Sequence, residues 1–397
     1  MSIVEFDFRP FGQASVDPYP VYAAMRETGR VLRSPLGALM VHRYDDVRAT
    51  HGDHDSLSMG AIGGMDGSGT GGGMAGADFL MAQSMLTADP PDHSRLRRVV
   101  NRAFTPRSIA ALEPRVRQIA RQLLAPLAGG EPFDVVADFA APLPTMVIAE
   151  LLGVPAEDCD QFRLWTEAVT GTDVRRRANP EEARRFGSEL RHYLSLQIDK
   201  RKDVPTDDLI GRMVEANREQ VMTDDEVVAS CVLLLIAGNE TTMRLVTNMT
   251  LALGRHPEQL ARLAAEPALI PTGVEETLRY DTPVQMLFRA ARHDTSVAGV
   301  DVTRGQFVLT LLGAANRDPE AFVDPDVYDV GREDNMHVSF GHGIHYCLGA
   351  PLARLEARVA FEELLEMAPA FSVLTRDEDL QYPAGMLRSP RSLAVQA

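Results

Sequence analysis

Ten residues, from position 340 to position 349, decide the fold of this 397-residue chain. They read Phe340-Gly341-His342-Gly343-Ile344-His345-Tyr346-Cys347-Leu348-Gly349, and a helix-forming run begins directly after them at Ala350. Glycines let a backbone approach a ligand closely, and the N–H groups at the start of a helix can point at a nearby sulfur and lower its pKa. The pattern therefore predicts a loop that presents the thiolate of Cys347 to a ligand. A buried, unreactive cysteine is the alternative interpretation.

The loop resembles the haem-ligand loop of the cytochrome P-450 superfamily, Phe-Gly-x-Gly-x-His-x-Cys-x-Gly, in which every fixed position is present here. The resemblance implies haem b with Cys347 as its axial thiolate, and Phe340, Gly341 and Gly349 beside the cofactor. It also implies a mainly α fold with minor β, the cytochrome P-450 fold, in which a long central helix lies over the haem next to small β-sheets. No linker or repeat divides the chain, so we expect a single haem-thiolate monooxygenase domain over residues 1–397.

Composition excludes several other classes of protein. The three cysteines are too few and too scattered for a disulfide framework or a tetrahedral zinc site. The first residues lack the basic and apolar regions of a signal peptide, and the longest apolar run, residues 227–238, is too short to cross a bilayer. With a net charge of −16 the chain is not expected to bind nucleic acid or an anionic membrane. We expect a cytoplasmic monomer.

A glycine-rich segment covers residues 60–76 and formally contains Gly-x-Gly-x-x-Gly twice. A dinucleotide-binding motif needs a strand before it and a helix directly after it, whereas polar residues and glycines precede this segment and Asp89-Pro90-Pro91 soon follows. The composition instead favours a mobile loop over residues 58–86 that acts as a lid.

Most of the remaining chain predicts helices. Residues 95–127 and 181–202 have helical apolar spacing. The longest predicted helix begins at a capping box, Thr223 to Glu226, and ends near Gly254 and His256. Residues 298–302 and 306–310 flank Arg304-Gly305 and predict a β-hairpin.

The middle of the long helix reads Ala237-Gly238-Asn239-Glu240-Thr241-Thr242. Two small residues leave room for a ligand, and a threonine hydroxyl inside a helix can bond to the carbonyl four residues back and loosen the helix there. The segment looks like the family's oxygen-activation motif, Ala-Gly-x-(Asp/Glu)-Thr. The resemblance implies that Ala237 and Gly238 lie beside the cofactor, that Thr241 stabilises bound oxygen and that Glu240 relays protons. An exposed acid and threonine on a long helix is the alternative.

Further matches to the family concern charged residues. Glu276 and Arg279 form the pattern Glu-x-x-Arg, and the resemblance implies that they are buried, structural and completed by Arg332. The haem propionates need cationic or hydrogen-bond-donor partners. By resemblance these are His93 and Arg97 of a His-x-x-x-Arg motif, together with Arg289 and His345.

The resemblance also places substrate contacts along the chain, and in this sequence these positions are almost all apolar. They are Phe79, Leu80, Met81, Met85, Leu86, Leu233, Leu234, Ala237, Val284, Met286, Leu287, Phe288, Met386 and Leu387. Gln285, next to Val284 and Met286, is the one obvious polar side chain that could orient a ligand, and the alternative is that it points away from the pocket. We therefore expect a neutral, apolar substrate, although some of these hydrophobes can equally be core residues.

The sequence as a whole predicts a haem-thiolate monooxygenase that hydroxylates an apolar small molecule of terpenoid, steroid or polyketide type with O₂. No flavin or nicotinamide module is evident, so electrons are expected from a ferredoxin and its NAD(P)H reductase. The arginine-rich segment after His93, with Arg95, Arg98 and Arg102, is a candidate docking patch for that acidic carrier. A peroxygenase driven by H₂O₂ and a non-enzymatic haem-binding protein are the alternatives. The acid–threonine pair argues against a specialised peroxygenase.

Overall fold

A computed structural model describes residues 4–6, 17–60, 83–170, 180–383 and 385–397. The α-helices in these residues are α1 (Tyr19–Thr28), α2 (Tyr44–Gly52), α3 (Asp92–Asn101), α4 (Pro106–Leu124), α5 (Pro142–Leu152), α6 (Cys159–Thr170), α7 (Pro180–Asp203), α8 (Leu209–Arg218), α9 (Asp224–Arg255), α10 (Pro257–Ala265), α11 (Ile270–Tyr280), α12 (Leu312–Ala315) and α13 (Ala350–Met367). The strands are β1 (Val4–Glu5), β2 (Val31–Arg33), β3 (Leu39–Val41), β4 (Leu57–Ser58), β5 (Phe133–Asp134), β6 (Met286–Ala291), β7 (Thr295–Val297), β8 (Val300–Val302), β9 (Phe307–Leu311), β10 (Ser372–Val373) and β11 (Ala394–Gln396). The predicted mainly α architecture with small sheets is confirmed.

The central helix α9 (Asp224–Arg255) is the longest element and begins at the predicted capping box. Thr223 Oγ1 accepts a hydrogen bond from Glu226 N at 3.2 Å, and Glu226 Oε2 accepts one from Thr223 N at 2.8 Å. Residues 227–236 are all buried. Of the described residues, only this helix is long and apolar enough to cross a membrane, and 78% of its most apolar 18-residue window is buried inside the protein. That burial is typical of the core helix of a globular fold.

The helical region predicted over residues 95–127 is divided in two. Helix α3 gives way to a 3₁₀ turn at Arg102–Phe104, and α4 starts at Pro106 with the side chain of Thr105 as its cap. Proline is favoured at the first position of a helix because its missing N–H would have no partner there. The helix predicted over residues 181–202 is present as α7.

The largest sheet has the strand order β1-β2-β3-β9-β6-β4, and the others are β10-β11-β5 and β7-β8. The predicted hairpin about Arg304-Gly305 is wrong. Strand β8 pairs with β7 instead, while β9 pairs with β6 and β3 in the large sheet. The hairpin turn is Ala298-Gly299, where both residues have positive φ, 51° and 81°. Such two-residue turns match the twist of the flanking strands.

Packing in the core holds the central helix next to the helix that follows the cysteine loop, residues 340–349. The central helix packs against α5 and α11, and also against α13, the helix that directly follows the cysteine. The loop of residues 340–349 leads directly into α13, and its turn at Gly343–His345 contacts α2.

Candidate active site

The cysteine loop, Phe340–Gly349, is held in one conformation by short-range contacts. Gly341 and Gly343 have φ of 72° and 74°, and a Cβ on Gly343 would lie 2.5 Å from the carbonyl oxygen of His51. Only glycine avoids both the strain and the clash. The loop closes on itself because Cys347 N donates to Phe340 O at 2.9 Å.

The surroundings of the Cys347 sulfur act on the pKa of its thiol in opposite directions. Burial raises the pKa of the thiol, while the N–H groups of Gly349 and Ala350 and the cation Arg97 act to lower it. The helix N–H groups therefore point at the sulfur as predicted. The predicted lowering of the thiol pKa is wrong, because in the free thiol the effect of burial is larger than the effect of these N–H groups. A bound metal cation removes that penalty by deprotonating a coordinating thiol.

One narrow face of the central helix opens onto free space. Ala237 is exposed and Gly238 and Thr241 are partly exposed, although the ten preceding residues are buried. A Cβ on Gly238 would have its nearest neighbour, Ile148 Cδ1, at 4.0 Å, and a Cβ on Gly349 would meet nothing within 4 Å. The helix and the cysteine loop thus each border open space at a glycine, which is what a flat ligand between them requires.

The hydroxyl of Thr241 bonds to its own helix. Its Oγ1 donates to the carbonyl oxygen of Ala237 at 2.7 Å, the four-residue back-bond that the sequence predicted. Because the proton is used in that bond, the oxygen presents its lone pairs towards the open face. Thr241 can therefore accept a hydrogen bond there.

The neighbouring acid, Glu240, is buried and makes an ion pair. Its Oε1 accepts from Nη2 of Arg244, one turn further along the helix, and the two side chains are 11% and 8% exposed. Arg244 is not among the residues predicted from the sequence. The spacing of four residues between an acid and a base was the available signal.

Four predicted propionate partners lie near the cysteine loop, and they differ in how far their hydrogen bonds are satisfied. The rings of His93 and His345 lie 4.4 Å apart, and both ring nitrogens of the buried His93 have no partner. Burial lowers the pKa of His93, and burial together with His93 and Arg289 lowers the pKa of His345 to about 3. Arg97 donates to the carbonyl oxygens of Ile344 at 3.0 Å and of Tyr346 at 2.6 Å.

Arg289 is a buried cation that forms no ion pair with a carboxylate within the described part of the chain, although the charge of Asp89 acts to raise its pKa. Its Nη1 donates to Met59 Sδ at 2.8 Å and to Phe288 O at 2.7 Å, and burial lowers its pKa to about 10. A buried guanidinium without an acid is costly unless an anion binds to it. Together with the unpartnered His93, it marks an anion site beside Cys347, and the two carboxylates of haem fit these donors.

The Glu276 cluster lies below the loop and is fully enclosed. Arg279 donates from Nε and Nη2 to the two oxygens of Glu276 at 2.8 Å, and Arg332 Nε donates to Glu276 Oε2 at 3.1 Å. Next to it is a pair that sequence reasoning missed. Arg354 of α13 donates to both oxygens of Glu275 and lies 4.5 Å over the ring of Phe340.

The predicted pocket residues are only partly brought together. Phe79, Leu80 and Met81 lie outside the described residues, as does most of the glycine-rich segment. Leu233 and Leu234 are buried, Met85 is buried and Leu86 is exposed. The C-terminal turn with Met386 and Leu387 is hydrogen-bonded to the segment after α11. Val284 and Leu387 form an isolated antiparallel β-bridge, and Gln285 N donates to Met386 O at 2.8 Å.

Three of the pocket predictions need correction. Met286 and Phe288 lie on the face of β6 opposite to Arg289 and pack with Tyr22 and Met25, so both are core residues, whereas Leu287 lies on the same face as Arg289. Gln285 also points away from the pocket. Its Oε1 accepts from Tyr22 OH at 2.8 Å and its Nε2 donates to Thr282 O at 2.7 Å. The described pocket residues therefore include no polar side chain that could orient a ligand.

The predicted docking patch is smaller than expected. Arg95 donates to Asp92, to both oxygens of Glu226 and to Val221 O, so its charge is neutralised. It ties α3 to the start of the central helix. Arg98 and Arg102 remain exposed.

Comparison with known proteins gives a consistent result. A sequence model of the Cytochrome P450 family matches residues 182–390. The cytochrome P450 monooxygenase PikC of Streptomyces venezuelae is 38% identical over 392 residues, which is 96% of this chain and 91% of PikC. The vitamin D(3) 25-hydroxylase of Pseudonocardia autotrophica is 39% identical over 374 residues, which is 92% and 90% of the two chains. The structure of the tirandamycin C-bound P450 monooxygenase TamI superimposes with a TM-score of 0.86 at 37% identity, covering 99% of each chain.

Proposed function

The chain belongs to the cytochrome P450 family of haem-thiolate monooxygenases, and on this premise we propose that it hydroxylates a neutral, apolar small molecule. The observation that carries the proposal is a pair of buried groups near the cysteine loop: His93, with two unpartnered ring nitrogens, and Arg289, with no ion pair to a carboxylate among the described residues. The cysteine loop and the central helix each border open space at a glycine, Gly349 and Gly238 respectively. No other arrangement in the described residues combines a presented sulfur with an anion site.

In this proposal Cys347 would bind the iron of haem b through its sulfur, and His93, Arg97, Arg289 and His345 would hold the propionates. Ala237, Gly238, Phe340, Gly341 and Gly349 border the cofactor. The cofactor, when bound, supplies the chemistry that activates O₂ for insertion into a C–H bond. The Glu276 cluster has a structural role, since it holds the segment before the cysteine loop against α11.

Glu240 and Thr241 are the proposed catalytic residues. Glu240 holds and passes on a proton at its carboxylate, and Thr241 accepts a hydrogen bond at Oγ1 on the open face of the helix. The back-bond to Ala237 uses the hydroxyl proton of Thr241, so its oxygen is left to accept a hydrogen bond from a water that would join the two groups. A positioned general acid of this kind typically contributes 10²- to 10⁴-fold to a rate.

The proposed substrate is a polyketide, steroid or terpenoid. Leu233, Leu234, Val284, Leu287 and Leu387 are apolar, and the described pocket residues carry no charge, so binding a charged group there would be costly. The relatives support this class, because their names include a vitamin D(3) hydroxylase and a monooxygenase bound to tirandamycin C.

The proposed electron donor is a ferredoxin with its NAD(P)H reductase, which docks by way of Arg98 and Arg102. These exposed arginines lie on the chain just after α3 residues that contact the cysteine loop, so a docked carrier would be close to it. An acidic carrier would complement them. We propose a cytoplasmic location for this soluble system.

The test is the absorption spectrum of the reduced protein with carbon monoxide. The wild type should show the strongly red-shifted Soret band of thiolate ligation, and Cys347→Ser should lose it. Cys159→Ser is the matched control, because that partly buried thiol donates only to Pro155 O, at 3.5 Å. A red-shifted band in Cys347→Ser would remove Cys347 as the ligand.

Substrate class and oxidant are then tested with testosterone as the probe. Binding should shift the Soret band of the oxidised protein, and product should require ferredoxin, reductase and O₂. Efficient product formation from H₂O₂ alone would support the peroxygenase alternative instead.

A further inference from the structure

Arg244 contacts two parts of the protein that are far apart in sequence. From the central helix its Nη2 donates to Glu240 Oε1, and its Nη1 donates to Ser389 Oγ at 3.1 Å. Ser389 is completely buried and Arg244 is 7% exposed. The guanidinium therefore bridges the acid and the chain after Leu387 through two different nitrogens, while its buried Nε has no partner.

The segment that Arg244 reaches is the pocket turn, residues 386–389. Met386 and Leu387 of this turn are predicted substrate contacts. Its backbone is fixed to the segment after α11, since Arg388 N donates to Pro283 O at 2.8 Å and Gln285 N donates to Met386 O at 2.8 Å. The only side chain of the central helix besides Arg244 that is seen to bond to this turn in the described residues is Asn248, whose amide donates to Arg388 O at 3.0 Å.

Other charges near the turn are already paired. Arg388 donates to Asp281 Oδ1 at 2.9 Å. Within the described residues Arg244 is the one cation that forms an ion pair with Glu240. The position of the Glu240 carboxylate therefore depends on Arg244, and the position of the Arg244 side chain depends on Ser389.

We propose that Arg244 is a positioning residue that couples the pocket turn to the proton-relay acid. When substrate contacts Met386 or Leu387, a displacement of the turn is passed through Ser389 and the guanidinium to Oε1 of Glu240. Proton delivery is then most efficient when the pocket is filled, which limits the loss of reducing equivalents as peroxide. This inference rests on the proposed role of Glu240 in the monooxygenase reaction.

The bond pattern of Glu240 suits such control. One carboxylate oxygen is fixed by Arg244, and no hydrogen bond to the other is found in the described residues. The free oxygen can exchange a proton with water, while the fixed oxygen determines where the carboxylate points. Because a planar guanidinium holds several acceptors in fixed directions, a shift of Ser389 is transmitted rather than absorbed.

The first test uses the haem-loaded, substrate-free protein and does not depend on turnover. Hydrogen exchange of peptides covering residues 385–391 should become several-fold faster in Arg244→Met and in Ser389→Ala. The infrared carboxylate band that disappears in Glu240→Gln should shift in the same two variants. Thr250→Val is the matched control on the same helix, because its buried hydroxyl donates only to Val246 O at 2.9 Å.

The second test measures coupling, with testosterone, ferredoxin and reductase. The ratio of product to NAD(P)H consumed should fall several-fold in Arg244→Met and in Ser389→Ala, with peroxide rising to match. Arg244→Lys should recover the infrared band of Glu240 in part, because it restores the charge, but not the slow exchange of the turn, because one ammonium group cannot hold both partners in the same way.

The outcomes separate the two proposals. Unchanged exchange and an unchanged Glu240 band in Ser389→Ala would overturn the coupling by Arg244, even if the enzyme hydroxylates testosterone normally. Failure of the wild type to oxidise testosterone would count against the proposed substrate class alone, since exchange and infrared data still decide the coupling. If Arg244→Met does not fold, Ser389→Ala carries the decision.

Discussion

Two buried glutamate–arginine pairs, each within one helical turn, differ in how many partners the glutamate has. Glu276 of α11 is completely enclosed and accepts from Arg279, Arg332, Asn335 and the backbone N–H of Asp329. Every lone pair that could accept a bond is in use. A carboxylate in that state holds chain segments together and has no free oxygen with which to exchange a proton.

Glu240 of the central helix is the opposite case. It has a single bonded partner among the described residues, Arg244, and it lies next to the open face at Thr241. Burial and an arginine partner are common to both glutamates, so these two features alone do not assign the proposed catalytic role to Glu240. The number of remaining partners and the nearness of open space are what distinguish the two sites.

The largest effect is expected from Glu276→Gln. Removal of the carboxylate leaves Arg279 and Arg332 buried with no anion, which typically costs about 3–5 kcal/mol. The free energy of unfolding of the haem-loaded protein, measured by urea titration, should fall by that amount.

Glu320→Gln is the control for this prediction. Glu320 pairs with Arg43 at 2.6 Å, but its side chain is 71% exposed. Surface pairs are worth about 0–1 kcal/mol, so this variant should unfold almost as the wild type does. Equal losses in the two variants would contradict a special role for the enclosed cluster.

A smaller effect on stability and a larger one on turnover are expected from Glu240→Gln. The amide cannot pass on a proton, so the rate of testosterone hydroxylation with ferredoxin and reductase should fall about 100-fold. The control is Asp225→Asn, an exposed acid at the start of the same helix that pairs with Arg191. If turnover stays at the wild-type level while stability falls as in Glu276→Gln, Glu240 has a structural role like that of Glu276.

Local signals in the sequence predicted much of this site. The capping box at Thr223 fixed the start of the central helix, and the glycine pattern around Cys347 fixed the cysteine loop, because both depend on contacts within a few residues. The hairpin about Arg304-Gly305 failed for the same reason. Ala298-Gly299 offered an equally local turn, and pairing in the large sheet, a long-range effect, decided between them.

Contacts between distant segments could not be predicted. Arg244 and Ser389 are 145 residues apart in the chain, and no periodicity relates them. The same holds for the partners of Arg95, which the charge pattern assigned to an outer surface and the structure assigns to Glu226. Sequence patterns indicate which residues carry charge, whereas only packing determines which charges are neutralised.

A third buried glutamate differs from both of these, because no ion pair to it is found in the described residues. Glu356 of α13 is 2% exposed, and burial raises its pKa to about 8, an effect that the nearby Thr242 hydroxyl opposes. Glu363 lies two turns along the same helix. Burial acts to raise its pKa too, but Arg121 and Arg117 outweigh burial and the pKa is lowered.

The smallest effect is therefore a dependence of stability on pH in which these two glutamates differ. Folded protein keeps the proton on Glu356 up to a pKa of about 8, whereas the unfolded chain releases it near the ordinary value of 4.5. Between these values the folded state binds more protons, so the stability that Glu356 contributes falls as the pH rises, by at most about 1.4 kcal/mol per pH unit.

Glu356→Gln, which cannot lose a proton, should gain stability relative to wild type from pH 5 to pH 8. Glu363→Gln should differ from wild type by a constant amount over the same range, because the stability from Glu363 is lost only as the pH falls through its lowered pKa. Parallel curves for wild type and Glu356→Gln in urea titrations would show that Glu356 is ionised in the folded protein, and that a bound cation or water has to be found for it.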